Sequence, residues 1–459
     1  MYFVDNNLEK DIQNVIAHLK NQGFVYQNSE IYGGVVNTWD YGPLAVAMLN
    51  QIKSFWINEF IRKEKNFLID SKIIMNRSVW KASGHLDNFS DYLIENKNNN
   101  KRYRADHILK DLYPEMEIEK YSLEQLEQII KEKVKKYDGI ETNWGNIRPF
   151  NLMFKTQMGA IDNAASETFL RPETAQGIFV NFKNLSRSSR AKLPFGIGQI
   201  GKSFRNEITP RDFIFRTREF EQMELEFFCE EKDSDYFYRY WIKKAKEFVL
   251  FLGLKENNIR LREHSKEELS HYSKGTLDIE YLFPFGWGEL LGIANRGSFD
   301  LEQHMKFSNQ SLEYLKEDGS KIIPFAIEPS IGLDRLLFAL LIDAYEIEKL
   351  ENDEERIILK LNKKIAPYEL AILPLTKKQA NEAKEIYNNL LMHTNLRVTY
   401  DESGSIGKRY RRQDAIGTPY CITVDFDSPI NNTITIRNRD TMKQETISIN
   451  EIENYFRNI

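Results

Sequence analysis

Residues Phe204–Phe228, FRNEITPRDFIFRTREFEQMELEFF, constrain this chain more than any other stretch. Arg216, Arg218, Phe220, Gln222, Glu224 and Glu226 share one parity, while Phe215, Thr217, Met223, Leu225 and Phe227 fall on the other. A period of two is a strand with differently employed faces. One face is apolar and suits a core. The other carries guanidiniums, a ring, an amide and carboxylates in succession, which predicts the floor of a polar binding site. Arg205 and Glu207 share a parity on the run before it, and Ile208–Asp212 supplies the Pro and Asp of a turn. The stretch therefore predicts a long antiparallel hairpin. A salt-bridged surface hairpin would account for the charges, but not for Phe220 between Arg218 and Gln222, nor for so apolar an opposite face.

With 459 residues there is room for two or three domains, each with its own core. At 41% hydrophobic and 29% charged the composition is that of a globular protein. No apolar run reaches the ~20 residues that span a bilayer, and the first residues lack a basic region followed by an apolar one. A cytoplasmic location without a membrane partner is expected. Cys229 and Cys421 each sit in an apolar, strand-like run, which predicts buried free thiols and neither a disulfide framework nor a zinc site. The net charge of −5 argues against a general polyanion binder, yet an RNA partner needs only a local basic patch.

Along the chain, the turn-rich Tyr32–Pro43 precedes a predicted helix from Leu44 to about Arg62 with Met48, Ile52, Phe55, Trp56 and Phe60 inward. Asn96–Asn100 reads as an exposed loop. Ser122–Lys136 reads as a helix opened by a Ser122/Gln125 capping box. In Arg171-Pro172-Glu173-Thr174-Ala175-Gln176-Gly177 the glutamate stands where a helix-start charge meets the dipole. Gly196–Ser203 satisfies both G-x-G-x-x-G and G-x-x-x-x-G-K-[ST], patterns that carry meaning only between a strand and a helix. Pro194 spoils the strand before it and Pro210 the helix after it, so a phosphate loop is rejected. The glycines are expected instead to let a strand pass close to substrate. In Gly286–Gly297 alternation puts Gly292, Ala294 and Arg296 on one face, as either a tight packing spot or a very small pocket with a carboxylate clamp. Arg335 stands in the first turn of a helix striped by Leu333, Leu336, Leu337, Leu340 and Leu341. Leu350–Lys364 reads as a charged helical connector. From Ala366 strands and helices alternate, predicting an α/β unit with a largely parallel sheet. Its run Ile406–Gln413 is basic with Tyr410 inside it, which suits RNA phosphates and base stacking, or else a solvated helix face.

Phe-Arg-Asn-Glu, a loop, then Phe-Arg-x-Arg-Glu-Phe-Glu-Gln-Met-Glu-Leu-Glu resembles motif 2 of class II aminoacyl-tRNA synthetases in its glycine-specific version. Gly42-Pro43 with the long helix resembles motif 1, Glu328–Arg335 with the helix it opens resembles motif 3, and Arg171–Gly177 resembles a signature of the glycine-specific members. The resemblance implies an α+β fold: a class II antiparallel sheet flanked by helices over residues 1–350, with an insertion at about 86–165 against the acceptor end of tRNA. A connector at 351–365 and an α/β anticodon-binding domain at 366–459 would follow. The implied activity is ATP-dependent attachment of glycine to tRNA(Gly) through glycyl-adenylate, by a homodimer joined through the motif 1 helix. The alternative is a synthetase-like RNA-binding protein without that activity.

The same resemblance implies residue roles. Arg205, Arg335 and Glu328 would be catalytic, with Arg205 on the α-phosphate and Arg335 packing on adenine and reaching the γ-phosphate. Glu207 would meet the adenine amino group and Phe220 its ring, with Asn206, Phe215, Arg216, Arg218, Glu289, Leu290 and Gly332 completing the ATP site. Glycine would be held by Arg104, Glu173, Gln222, Glu224, Arg296, Glu328 and Ser330, with Glu173 on its ammonium. Magnesium would be bound through ATP oxygens by Glu328, with Glu289 as a further ligand.

Overall fold

The computed structural model describes residues 6–116, 118–159, 166–265, 273–350 and 354–457. Strand Phe195–Phe204 pairs antiparallel with Glu219–Cys229, residue for residue from Phe195 opposite Phe228 to Phe204 opposite Glu219. The predicted hairpin is therefore present, but its strand alternation begins at Glu219. Arg205–Arg218 form a loop with a single helical turn at Phe213–Phe215.

That hairpin lies inside a seven-stranded sheet ordered Ile259–Glu263, Gly275–Phe283, Gly286–Gly297, Phe325–Gly332, Glu219–Cys229, Phe195–Phe204, Phe67–Leu68. Every neighbouring pair is antiparallel except the last, which is parallel. The apolar parity of the central strand, Met223, Leu225 and Phe227, joins a large core with Trp56, Phe60, Trp241, Phe248, Leu336 and Leu340. These come from the helices Pro43–Trp56 with its extension Ile57–Arg62, Ser234–Leu252 and Leu333–Ala344. The opposite face is closed by helix Ala175–Ser188, whose Ile178, Phe179 and Phe182 pack on Phe195, Ile197 and Phe228.

The glycine run Gly196–Ser203 is a β-strand, which removes the phosphate-loop geometry. Its glycines face protein and not substrate, contrary to expectation. A Cβ on Gly198 would lie 2.6 Å from Ile61 Cδ1 and 2.8 Å from Trp56 Cη2, and one on Gly201 would lie 2.2 Å from Arg171 Nη2. The strand passes that close to the motif 1 helix and to a buried arginine because neither position has a side chain.

Residues 90–151 build a small unit on this body. Strands Ser90–Asn96, Lys101–Arg104 and Arg148–Asn151 form a sheet, and helices Ala105–Leu112 and Leu123–Lys133 cover it. Ile94, Ile108, Leu109, Leu126, Ile130 and Trp144 form its separate core. The Ser122/Gln125 capping box is present in both directions. Glu117 and residues 160–165 of the expected insertion lie outside the described residues.

The described part of Leu350–Lys364 is not helical. Tyr345–Lys349 and Glu355–Leu359 form an antiparallel hairpin, with residues 351–353 outside the described set. Its charges fit helical spacing, but burial alternates strand-wise: Arg356 and Ile358 are inward and Ile357 is outward. The C-terminal sheet runs Val398–Tyr400, Leu370–Pro374, Tyr420–Val424, Thr433–Asn438, Gln444–Ser448. Its first three strands are parallel and the last two antiparallel, so the sheet is mixed. Helix Ile406–Ile416 carries the basic run, but much of that run is structural. Arg409 is buried and donates to the carbonyls of Pro374, Glu402 and Gly404, while Arg412 pairs with Asp401. The Tyr410 hydroxyl bonds Thr423, and the Arg437 guanidinium covers its ring at 4.8 Å, so this ring is not offered to a base.

Gly198→Ala is expected to lower stability by about 1–3 kcal/mol through overpacking, measured by denaturant unfolding, with the ATP constant unchanged. A lost ATP affinity at unaltered stability would restore the phosphate-loop assignment.

Candidate active site

Sheet register assembles the site. Glu224 lies opposite Ser330, and Gly292 lies opposite Ser330 on its other side. Ala294 faces Glu328, and Gln222 faces Gly332. Directly paired positions put their side chains on the same face of a sheet, so residues far apart in sequence converge.

Glu224 is 1% exposed and bound on both oxygens. Oε1 accepts from Ser330 Oγ at 2.7 Å and Gln222 Nε2 at 2.9 Å; Oε2 accepts from the Thr174 amide at 2.9 Å and from the Thr174 hydroxyl. Next to it, Glu173 accepts from Gln176 Nε2 at 2.9 Å, and His85 Nε2 stands 3.5 Å from its other oxygen. Beneath lies Arg296, 2% exposed, donating to both oxygens of Asp300 at 2.7 and 2.9 Å and to Glu328 at 2.8 Å.

These carboxylates do not carry equal charge. Burial pushes Glu173 up, but His85, Arg296 and Gln176 together outweigh it and hold this carboxyl below the usual range. Burial and the adjacent Glu173 push Glu224 up. Burial, with Glu224 and Glu173 nearby, pushes Glu328 to about 8 despite Arg296. Glu226, one step deeper on the same parity, is fully buried with no hydrogen-bond partner on either oxygen among the described residues, and burial and Glu328 push it well above its ordinary value. Of this group Glu173 is the carboxylate best suited to meet a cation.

The cavity above this floor has a volume of about 270 Å³. Part of its lining is the group Glu173, Glu224, Glu328, Ser330, Gly292 and Ala294. Arg205, Glu207, Phe215, Arg216, Phe220, Glu289, Leu290, Gly332 and Arg335 line it as well, with Gln222 also on the wall. The Arg205 guanidinium lies 5.2 Å from the Phe220 ring and 5.5 Å from the Phe89 ring, and Nε donates to the Pro172 carbonyl at 3.2 Å. Its terminal nitrogens face no acceptor among the described residues. Arg216 is held by Glu207 at 2.6 and 2.9 Å. Arg335 covers the Phe215 ring at 4.4 Å and bonds Glu289 Oε2 at 3.1 Å.

Four expected site residues are outside this lining. Arg104 is taken up by Asp91 and Asp106 at 2.9 and 2.8 Å within the inserted unit. Arg296 lies under the floor and orients Glu328. Arg218 Nε donates to the Glu207 carbonyl at 3.0 Å and so braces the loop, while the backbone N–H of Asn206 donates to the Leu152 carbonyl at 2.7 Å. The lining also includes residues that sequence patterning did not supply: Ile214, Thr217, His264, Thr276, Asp278 and Asp334. Thr276 and Asp278 had a readable signal, since they alternate with Leu277 and Ile279 and face Ala294 and Gly292 across the sheet. His264 and Asp334 had none, being placed by long-range pairing. Asp334 accepts from the Glu221 amide at 2.7 Å and from the Tyr41 hydroxyl.

Among the described residues no group of three His, Cys, Asp or Glu side chains could hold a metal ion unaided. Glu328 fits magnesium poorly, because Arg296 occupies one oxygen and burial favours its protonated form. Glu289 and Asp278 also have one oxygen each engaged, by Arg335 and by His264 with Arg262, but their other oxygens approach one another. A Cβ on Gly292 would lie 3.6 Å from Glu289 Oε1 and 3.5 Å from Asp278 Oδ1, so two hard oxygen donors converge there. Burial and the charge of Glu289 push Asp278 up, a repulsion that a cation would relieve.

Residues 154–344 match the family model described as tRNA synthetase class II core domain (G, H, P, S and T), and residues 369–459 match the anticodon binding domain. The glycine–tRNA ligase of Mycoplasmopsis synoviae (strain 53) is 56% identical over 440 residues, covering 95% of this chain and 97% of the relative. That of Mesoplasma florum is 51% identical over 450 residues, covering 97% and 99%. That of Caldanaerobacter subterraneus subsp. tengcongensis is 54% identical over 448 residues, covering 96% of both.

A carboxyl whose folded pKa is raised holds its proton more tightly in the folded state, so it withdraws stability as pH climbs from its unfolded value towards the folded one. Glu226→Gln removes that loss. The variant's stability relative to the parent is expected to improve steadily in denaturant titrations as pH rises above 4.5; a pH-independent difference would show that the folded state does not retain the Glu226 proton.

Proposed function

The chain belongs to the glycine–tRNA ligases, class II aminoacyl-tRNA synthetases, and from that membership we propose how its cavity joins glycine to ATP and then to tRNA(Gly). The observation that carries the proposal is the combination in one cavity of a stacked arginine with open terminal nitrogens and a pocket closed by small residues and fixed carboxylates. An inactive RNA-binding protein would have no use for that combination.

In the first step the glycine carboxylate attacks the α-phosphorus of ATP, pyrophosphate leaves, and glycyl-adenylate forms. A ribose hydroxyl at the tRNA 3′ end then attacks the adenylate carbonyl and AMP leaves. Neither step needs a covalent bond to the protein, so the protein's contribution is alignment and charge neutralisation. Arg205 takes the α-phosphate; its position between Phe89 and Phe220 fixes the guanidinium before ATP arrives. Adenine lies by Phe220 and Arg335, with Glu207 at its amino group and Arg216 released from Glu207 to the phosphates. Magnesium carried in with ATP would be held by Glu289 and Asp278 and would neutralise phosphate charge.

Glycine is recognised by its ammonium and by its lack of a side chain. Glu173, kept ionised, takes the ammonium. Glu224 serves as a wall, since Thr174, Ser330 and Gln222 already occupy its oxygens. A substrate methyl group would have to displace atoms held by several hydrogen bonds, and packed sites yield little. Rejecting larger amino acids this way needs no editing site, whereas favouring one extra methylene gains only ~1–3 kcal/mol.

Second copies of the chain are expected on the face formed by Ile31, Tyr32 and Val36, which are 88%, 87% and 75% exposed beside the motif 1 helix. Contiguous apolar exposure of this kind marks an interface. The acceptor end of tRNA would meet the inserted unit, and the C-terminal unit would read the anticodon. Buried free thiols at Cys229 and Cys421 suit a cytoplasmic enzyme, and among the described residues no helix is long and apolar enough to cross a membrane.

Glu173→Gln is expected to raise the apparent glycine constant by about tenfold or more, the loss of a charged hydrogen bond, with the ATP constant little changed. Arg205→Ala is expected to slow adenylate formation by about 10²–10³. Both are read by ATP–pyrophosphate exchange and by charging of a tRNA(Gly) transcript. Equal effects of Glu173→Gln on both substrates would remove it from the ammonium site. Sedimentation at micromolar concentration should give a dimer that Tyr32→Asp weakens; a monomeric parent protein would refute the interface.

A further inference from the structure

The loop Arg211–Thr217 brings Ile214, Phe215, Arg216 and Thr217 to the wall of the cavity. Its backbone is unusual. Asp212 and Phe213 are consecutive non-glycine residues with φ of +60° and +57°. Side chains larger than glycine rarely adopt that region, and such a conformation persists only where the surroundings determine it. Within the loop, the Arg211 amide reaches the Arg216 carbonyl at 3.1 Å and the Phe215 amide reaches the Asp212 carbonyl at 3.0 Å. Those bonds close the turn but do not anchor it to the body.

Phe213 and Ile214 are buried in the main core and Arg335 Nε donates to the Phe215 carbonyl at 3.1 Å; Asn37, from a segment far earlier in the chain, supplies the anchor that ties the two arms of the turn together. Its Nδ2 lies 3.3 Å from the Arg211 carbonyl, 2.9 Å from that of Phe213 and 3.0 Å from that of Arg216. An amide nitrogen has two hydrogens, so it is shared among acceptors on both arms of the turn. Its orientation is itself fixed: Oδ1 accepts from Trp39 Nε1 at 3.1 Å, and the Trp39 ring meets Phe213 edge-on at 4.7 Å. Asn37 has φ of +44°, a conformation that Asn tolerates better than most residues.

We propose that Asn37 is a positioning residue for ATP binding: its side-chain amide locks the Arg211–Arg216 turn so that Phe215 and Arg216 are presented to the nucleotide. The proposal rests on the assignment of that loop to ATP. Asn37 touches no substrate. It acts through the carbonyls it gathers, and the glycine end of the cavity, built on other strands and on Glu173, is independent of it.

The test is ATP–pyrophosphate exchange by the full-length protein with ATP and glycine varied separately. Asn37→Asp keeps the shape but turns an acceptor towards three carbonyls; Asn37→Ala removes the donor alone. Asn37→Asp is expected to raise the ATP constant by about tenfold or more and Asn37→Ala by less, with the glycine constant held within about twofold and the thermal midpoint within about 2 °C. Two results would overturn the proposal. One is an unchanged ATP constant in both variants. The other is a parallel rise of both constants with a lowered midpoint, as a merely structural residue would give. Arg216→Ala separates the underlying assignment: if it leaves the ATP constant unchanged, the loop does not serve ATP and the inference falls with that assignment.

Discussion

One buried carboxylate ties the site together. Glu224 lies on the central strand, yet its oxygens are held by Thr174 at the start of a helix and by Ser330 on the next strand. Hydrogen bonds contribute roughly 0.5–1.5 kcal/mol each, and those on Glu224 together are enough to fix the loop that carries Glu173 to the sheet that carries Gly292 and Ala294. A slip of one residue in the pairing of Glu219–Cys229 would turn Glu224 into the apolar core and Met223 into the cavity. Register and site are thus the same constraint.

Around that point the charges are arranged so that one carboxylate is available and the others are restrained. Arg296 and Asp300 pair under the floor, and Arg296 reaches Glu328. An ion pair this buried offers little net stability against an apolar alternative, but breaking it leaves a stranded charge. Its value here is positional. Arg296 keeps Glu328 at the edge of the pocket, Glu224 is saturated by donors, and Glu173 remains ionised beside His85. Selectivity for the smallest amino acid follows from how little this floor can move.

Much of this was legible in the sequence, because the hairpin's period of two separates a polar parity from an apolar one without any tertiary information. The segments with Glu173, Gly292, Ser330 and Arg335 were legible through local composition and family resemblance. What the sequence left open has identifiable reasons. Arginines are the recurrent case: Arg104, Arg218 and Arg296 have the right chemistry for substrate, but in this structure carboxylates and a carbonyl nearby in the chain, Asp91, Asp106, Asp300 and that of Glu207, also engage them, and no one-dimensional pattern says which contact a guanidinium makes. The glycines of Gly196–Ser203 admit Trp56, Ile61 and Arg171, and no local pattern announces a neighbour from another element. Tyr410 and Arg409 look like an RNA-binding face until Thr423, Arg437 and Pro374 are found beside them. Asn37, in a turn whose only visible use was to lead into a helix, shows the same limit: a single amide whose purpose lies in a loop far along the chain.

The central claim is that a rigid carboxylate floor, closed by Gly292 and Ala294, admits glycine alone. Its most direct test is ATP–pyrophosphate exchange by the purified protein without tRNA, with each amino acid supplied in turn. Exchange with glycine and none above background with alanine or serine is the predicted result. Comparable exchange with alanine would contradict the account, since the floor would then have yielded to a methyl group.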